Sequence, residues 1–221
     1  MSFGVIKGPF MGVMMLQHTS ATRLFLKQAR RNFIDTGAIA PSSRYVARAV
    51  TRSITAATGP IDVLEVGAGT GAITREIVRR LPRQSRLDVY EINPVFIKHL
   101  ERRFGQRMGI KVHNARAEDV AGGPRYDTII SGLPLNNFAP SDVRRILESL
   151  FSALKPGGVL TYFEYLLIRE LKSLATGKQE RRRLRGVGRV TNGFLRKYEF
   201  RREAILRNIP PVLVHALRKP D

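Results

Sequence analysis

The run Val63-Leu64-Glu65-Val66-Gly67-Ala68-Gly69-Thr70-Gly71 constrains this chain more than any other stretch. A short apolar segment enters it and a helical one, Ala72–Leu81, leaves it, so the glycines lie between a strand and a helix. Glycine permits a tight turn there and close approach of a ligand to the backbone, while the helix start offers free N–H groups to a carboxylate or a phosphate. The alternation continues through the chain. Ile61–Val66, Arg86–Glu91, Ile110–His113, Tyr126–Ser131 and Val159–Tyr165 read as short strands. Further helices are expected from Pro94, a residue suited to a first helical position, and over Asp142–Leu154, closed by Lys155-Pro156-Gly157-Gly158. Short apolar strands separated by helices imply an α/β fold, a mainly parallel sheet with helices on both faces. Ala204–Asn208 and Val212–Arg218, joined through Ile209-Pro210-Pro211, read as a terminal antiparallel hairpin.

The second strand ends at Glu91, followed by Ile92-Asn93-Pro94. A carboxylate at that place after a glycine turn can accept from both hydroxyls of a ribose. Ahead of the alternating region, Ala21–Ile34 has helical periodicity: Ala21, Phe25, Leu26, Ala29 and Phe33 on one side, Arg23, Lys27, Arg30 and Arg31 on the other. The loop Thr36–Pro41 leads to Ser42 and Ser43, residues that cap a second helix reaching about Thr55. The expected organisation is a tail over 1–18, a helical segment over 19–57, and one domain over 58–221 with a basic insert at about 169–203.

Charge narrows the partners. Lys and Arg number 38 against 18 Asp and Glu, a formal net charge of +20 that attracts polyanions, whether nucleic acid or anionic membrane. Arg181, Arg182, Arg183, Arg185, Arg189, Arg196, Lys197, Arg201, Arg202 and Arg207 face only Glu199 and Glu203 in their stretch. With Leu184, Val187, Phe194 and Leu195 interleaved, that stretch reads as a solvated loop or as a lipid-headgroup contact. The absence of cysteine removes disulfides and thiolate zinc sites and suits a reducing cytoplasm. His18, His99, His113 and His215 are scattered, so no metal site is expected and each reads as a surface or packing residue. No segment approaches the ~20 apolar residues that span a bilayer. Met1–Leu16 makes a poor signal peptide, and Met11, Met14 and Met15 offer alternative starts.

Glu65 with its loop, Glu91, Ala117-Glu118-Asp119 and Leu154-Lys155-Pro156-Gly157-Gly158 resemble, in order, the motifs of class I S-adenosylmethionine-dependent methyltransferases. The resemblance implies a Rossmann-like fold and S-adenosylmethionine as cofactor. It places the methionine part at Glu65, Gly67, Ala68, Gly69, Thr70 and Gly71, the ribose at Glu91 with Ile92 and Asn93, and the adenine at Ala117 and Glu118, with Ser131 beside them. Arg116 stands where many relatives carry an acid, which passes the adenine contact to Glu118 or to backbone groups.

Ser131-Gly132-Leu133-Pro134-Leu135-Asn136-Asn137-Phe138 resembles the Asn-Leu-Pro-aromatic signature of ribosomal RNA adenine N6-dimethyltransferases, but Gly132 replaces the Asn and Leu135 the aromatic. The base-binding contacts are thereby lost. Phe25-Leu26-Lys27, Asn32-Phe33, Thr36–Arg44, Ser131–Pro134 and Asn208-Ile209-Pro210-Pro211 are similar to bacterial phospholipid N-methyltransferases that associate with membranes. That resemblance implies methylation of the phosphatidylethanolamine amine toward phosphatidylcholine, with ornithine lipids and ribosomal RNA as alternative substrates. Ser42, Ser43, Gly132, Leu133, Pro134 and Asn136 are then expected on the substrate side. Arg23, Phe25, Leu26, Lys27, Arg30, Phe33, Arg181, Arg182, Arg183 and Arg185 are expected to touch an anionic membrane, holding the protein to the cytoplasmic face. Alternatively the first helix packs its apolar side on the sheet. Tyr162, Glu164 and Tyr165 end the fifth strand as candidate proton acceptors, and no catalytic residue is assigned.

Overall fold

The computed structural model describes residues 43–54, 59–120, 122–166, 177–208 and 210–221. The expected tail, the helix over Ala21–Ile34 with Arg23, Phe25, Leu26, Lys27, Arg30 and Phe33, the Thr36–Pro41 loop and Ser42 all lie outside the described residues.

Apolar runs bounded by glycine and proline become strands, and segments of 3.6-residue periodicity become helices. In chain order these are α1 (Ser43–Val50), β1 (Asp62–Val66), α2 (Ala72–Arg80), β2 (Arg86–Glu91), α3 (Pro94–Phe104), β3 (Ile110–Asn114), β4 (Tyr126–Ser131), α4 (Pro140–Ala153), β5 (Leu154–Tyr165), α5 (Lys178–Tyr198), β6 (Glu199–Ile205) and β7 (Val212–Arg218). The seven strands form one sheet in the order β3-β2-β1-β4-β5-β7-β6. The first five run parallel, and β7 lies antiparallel to both β5 and β6. This is the expected Rossmann-like arrangement with its antiparallel hairpin. The order reverses between β1 and β4, where sheets of this kind leave a crevice at the carboxyl ends of the strands.

Two cores flank the sheet. Val46, Val50, Ile77, Leu100 and Phe104 of α1, α2 and α3 pack on Val63, Leu87, Val89 and Ile130. On the other face, Val143, Ile146, Leu147, Leu150 and Phe151 of α4 join Val187 and Leu195 of α5 over Leu64, Ile129, Leu160 and Tyr162. Burying each such large side chain contributes about 1.5–3 kcal/mol, and this apolar contact holds the helices on the sheet.

Four boundaries differ from the sequence reading, the first being the hairpin, whose leading strand is β6 over Glu199–Ile205 where Ala204–Asn208 was expected. The helix α1 stops at Val50 rather than near Thr55, and beyond it Arg52 and Ile54 N–H turn back to Ala49 O and Thr51 O, three residues earlier. Strand β5 begins at Leu154, absorbing the Lys155–Gly158 turn with Gly157 at φ +70°. The described part of the basic segment is not a solvated loop but α5, 21 residues long, running directly into β6.

Candidate functional site

The loop after β1 turns on residues that only glycine adopts readily. Gly67 (φ +71°) leaves room for Leu133, whose Cδ2 would lie 2.7 Å from a Cβ there. Gly69 (φ +55°) faces space in which no atom lies within 4 Å of a Cβ position, so a ligand can reach its backbone. The loop delivers Gly71 as the residue before α2.

Glu91, buried at the end of β2, ties this loop to the next one. Its Oε2 accepts from Gly69 N–H at 2.8 Å, and its Oε1 accepts from Ile92 and Asn93 N–H, both at 2.8 Å. Asn93 in turn caps α3 by accepting from Val95 N–H at 3.0 Å. Glu65, in the row of β1 just below the loop, is fully buried with neither oxygen hydrogen-bonded in good geometry. Burial pushes its carboxyl up to about 8; the Thr74 hydroxyl opposes that shift and the nearby Glu91 charge adds to it.

After β3, Ala117–Asp119 forms a single 3-10 turn. Ala117 is buried and Glu118 exposed, while Asp119 accepts from Arg116 N–H at 2.8 Å and so closes the turn. Ala115 N–H donates to Glu91 O at 3.3 Å, which sets this turn beside the carboxylate.

The loop after β4 crosses the glycine loop closely. Ser131 pairs with Val66 across the sheet, and Gly132 N–H donates to Val66 O at 2.9 Å. A Cβ on Gly132 would lie 2.7 Å from Gly67 O, so no larger residue fits there without moving backbone. Leu133, Pro134 and Asn136 follow on the α4–α5 face. Ser43 opens α1 on the opposite face, apart from that loop.

The expected membrane-contact set divides. Arg181, Arg182 and Arg185 are exposed on α5. Arg183 is a correction: its guanidinium is half-buried, pairs with Glu180 at 2.6 Å, and donates to Asn136 O at 2.8 Å and to Phe138 O. It clamps the loop after β4 instead of facing solvent. Leu184, Val187 and Leu195 are corrected too, since they are buried against the sheet, with Phe194 packed beside them. Of the two readings given to His215, surface or packing, the structure shows packing. It is 1% exposed in β7, and its signal was a polar residue on the inward-facing register of an apolar strand.

A model of the methyltransferase domain family matches residues 63–158. Ornithine lipid N-methyltransferase of Singulisphaera acidiphila is 30% identical over 141 residues, covering 61% of this chain and 73% of that protein. The chain belongs to the class I S-adenosylmethionine-dependent methyltransferases. Among other methyltransferases, malonyl-[acyl-carrier protein] O-methyltransferase 1 of Ilyobacter polytropus is 28% identical over 47% of this chain and 40% of its own length. Two solved structures share the fold. The N-methyltransferase NodS of Bradyrhizobium japonicum with S-adenosylhomocysteine superposes at TM-score 0.60 (17% identity, 92% of this chain, 98% of that one). The 1,6-didemethyltoxoflavin-N1-methyltransferase of Burkholderia thailandensis superposes at 0.65 (16% identity, 100% and 94%). The methyltransferase cofactor is S-adenosylmethionine, and the residues present fit it. Open space beside Gly69 admits a ligand to the backbone, and Glu91 keeps acceptor capacity beyond its three N–H bonds. Among the described residues no His, Asp or Glu cluster could hold a metal ion, and no helix is long and apolar enough to cross a membrane.

Proposed function

We propose that this methyltransferase methylates the primary amine of a lipid headgroup at an anionic membrane surface, with ornithine lipid the first candidate substrate and phosphatidylethanolamine the second. The observation that carries this reading is the similarity to ornithine lipid N-methyltransferase, which extends over 73% of that protein. Two features support it. The Gly132–Gly67 crossing leaves no room for the asparagine that an adenine-methylating enzyme would need at that place. The exposed arginines of α5, Arg181, Arg182, Arg185 and Arg189, suit anionic phosphates; nucleic acid is the less favoured partner.

The cofactor, when bound, supplies an electrophilic methyl group. The chain's own residues do the rest: the Gly67–Gly71 loop and Glu91 hold and orient it, and Ala117 and Glu118 stand beside the adenine place. The Gly132–Asn136 loop, clamped by Arg183, walls the substrate side and excludes water. Incubation with labelled S-adenosylmethionine and vesicles holding ornithine lipid, phosphatidylethanolamine or no amine lipid tests the reading. Label is expected in the ornithine lipid; label confined to RNA, or to no lipid at all, overturns it.

A further inference from the structure

A cluster of titratable groups under α5 is left unused by the site described above. His215, in the middle of β7, is 1% exposed. Its Nδ1 lies 2.6 Å from Glu199 Oε1, and its ring stacks on Tyr162 with centroids 5.0 Å apart. Its Nε2 lies 3.4 Å from Glu164 Oε1 and makes no hydrogen bond among the described residues. Among the described residues, the titratable and charged groups around the imidazole are Tyr162 and Glu164 from β5 and Glu199 and Arg202 from β6, while α5 closes the same face with Val187 and Leu195.

Register places this cluster at the business end of the sheet. Ser131 pairs with Tyr162, and Tyr162 with His215, so the three share one row and one face. Glu164 lies two residues further along β5 on that face, past the end of β4, where the loop Gly132–Phe138 begins. Its side chain is 22% exposed. Strand ends at this edge are where open α/β sheets meet their ligands.

The hydrogen-bonding logic is specific. A carboxylate can only accept, so Glu199 fixes Nδ1 as the donor nitrogen of the imidazole. Nε2 then turns a lone pair toward a second carboxylate, and acceptor faces acceptor. One added proton converts that contact into a charge-assisted hydrogen bond.

We propose that Glu164 and His215 Nε2 together receive the proton that the substrate ammonium must lose, with Glu199 positioning the imidazole from behind. The proposal rests on the amine-methylating reading above. An ammonium has no lone pair to offer. The Glu164 carboxylate takes one proton, an O–H bond forming as an N–H bond breaks, and its electron pair stays on nitrogen. Sharing that proton with Nε2 stabilises the acid form. The neutral amine now holds the lone pair that accepts the methyl group, and the product nitrogen carries the positive charge onward. Glu164, partly exposed, returns its proton to water. Each further methylation repeats the step.

The test uses the full chain with Glu164→Gln and His215→Gln, assayed on ornithine-lipid vesicles between pH 6 and 10. At pH 7 each variant should turn over about 100-fold more slowly, the ordinary size of a general-base contribution. The deficit should shrink toward about pH 10, where an alkyl amine sheds its proton unaided. S-adenosylhomocysteine affinity and melting temperature should stay near wild type for Glu164→Gln. An equal loss at every pH, or no loss, overturns the proposal. If the wild type methylates no amine lipid, the functional reading fails separately, and nitrogen-15 resonances of the imidazole decide the pair. A His215 titration curve that moves in Glu164→Gln supports proton sharing; identical curves in both proteins overturn it.

Discussion

Glu91 joins two loops through one side chain, and each of its three hydrogen bonds to N–H is assisted by its charge. Bonds of this kind contribute about 1.5–3 kcal/mol each, though not additively. Glu91→Ala should lower S-adenosylhomocysteine affinity at least ten-fold by calorimetry, and should also lower the melting temperature, since Gly69, Ile92 and Asn93 lose their acceptor. Gly69→Val acts differently. Space around it is open, so valine clashes with no protein atom, but it fills the ligand's approach and strains a backbone at φ +55° by about 1–2 kcal/mol. Near-normal binding by that variant would contradict the site. Glu65 gives a pH signature. Its folded carboxyl is raised from 4.5 to about 8, so the folded chain holds a proton that the unfolded chain releases. That stability is complete below the unfolded value and is lost as pH rises toward about 8. Without cofactor, Glu65→Gln should therefore melt well above wild type at pH 8 and only slightly above it at pH 5. The sequence displayed Glu65, Glu91 and the glycines because strand, turn and helix bracket them. It could not display the Gly132–Gly67 crossing or the Arg183 clamp, which join positions far apart in the chain.

The helix α5 shows where pattern reading failed and why. The density of arginine drew attention to a solvated loop or a headgroup contact, yet Leu184, Val187, Thr191 and Leu195 recur at helical spacing and are buried. The glycines have different reasons to be there. A Cβ at Gly186 would lie 2.6 Å from Pro140 Cγ, so this residue sets how closely α5 crosses the start of α4. At Gly193 a Cβ would meet nothing within 4 Å. Gly193→Ala should raise stability by about 0.5–1 kcal/mol through helix propensity alone, whereas Gly186→Ala should lower it, by either thermal or urea melts. A stabilised Gly186→Ala protein would show that the helices slide apart at no cost. The strands were legible where the helix was not, because β1, β2 and β4 are short segments rich in Val, Leu, Ile and Tyr that sit between helical or turn-forming stretches. The β5 start was missed because Lys155-Pro156-Gly157-Gly158 has turn composition, and only pairing with β4 and β7 makes it strand.

At the scale of the whole molecule, a net charge of +20 dominates encounters with anything anionic. Flotation with vesicles should require anionic lipid and weaken as salt shortens the ~8 Å screening length at physiological ionic strength. Equal flotation with neutral vesicles across a salt series would defeat that expectation. Replacing Phe25 and Phe33 by Ser should weaken flotation without early melting if the Ala21–Ile34 segment, expected from its periodicity to be helical, lies in the interface. Early melting with flotation retained would leave α5 as the membrane-facing element. The sheet order carries one more consequence, for the time course of synthesis. Strand β7 is translated after β6 yet lies between β5 and β6. Strand β6 therefore cannot join the sheet in the order of synthesis, and waits until β7 has taken the place beside β5. Until then β5 has an open edge, and the imidazole of His215 is not yet in place beneath α5. A chain halted at that stage has a cofactor end nearly complete beside a sheet edge that still lacks two strands.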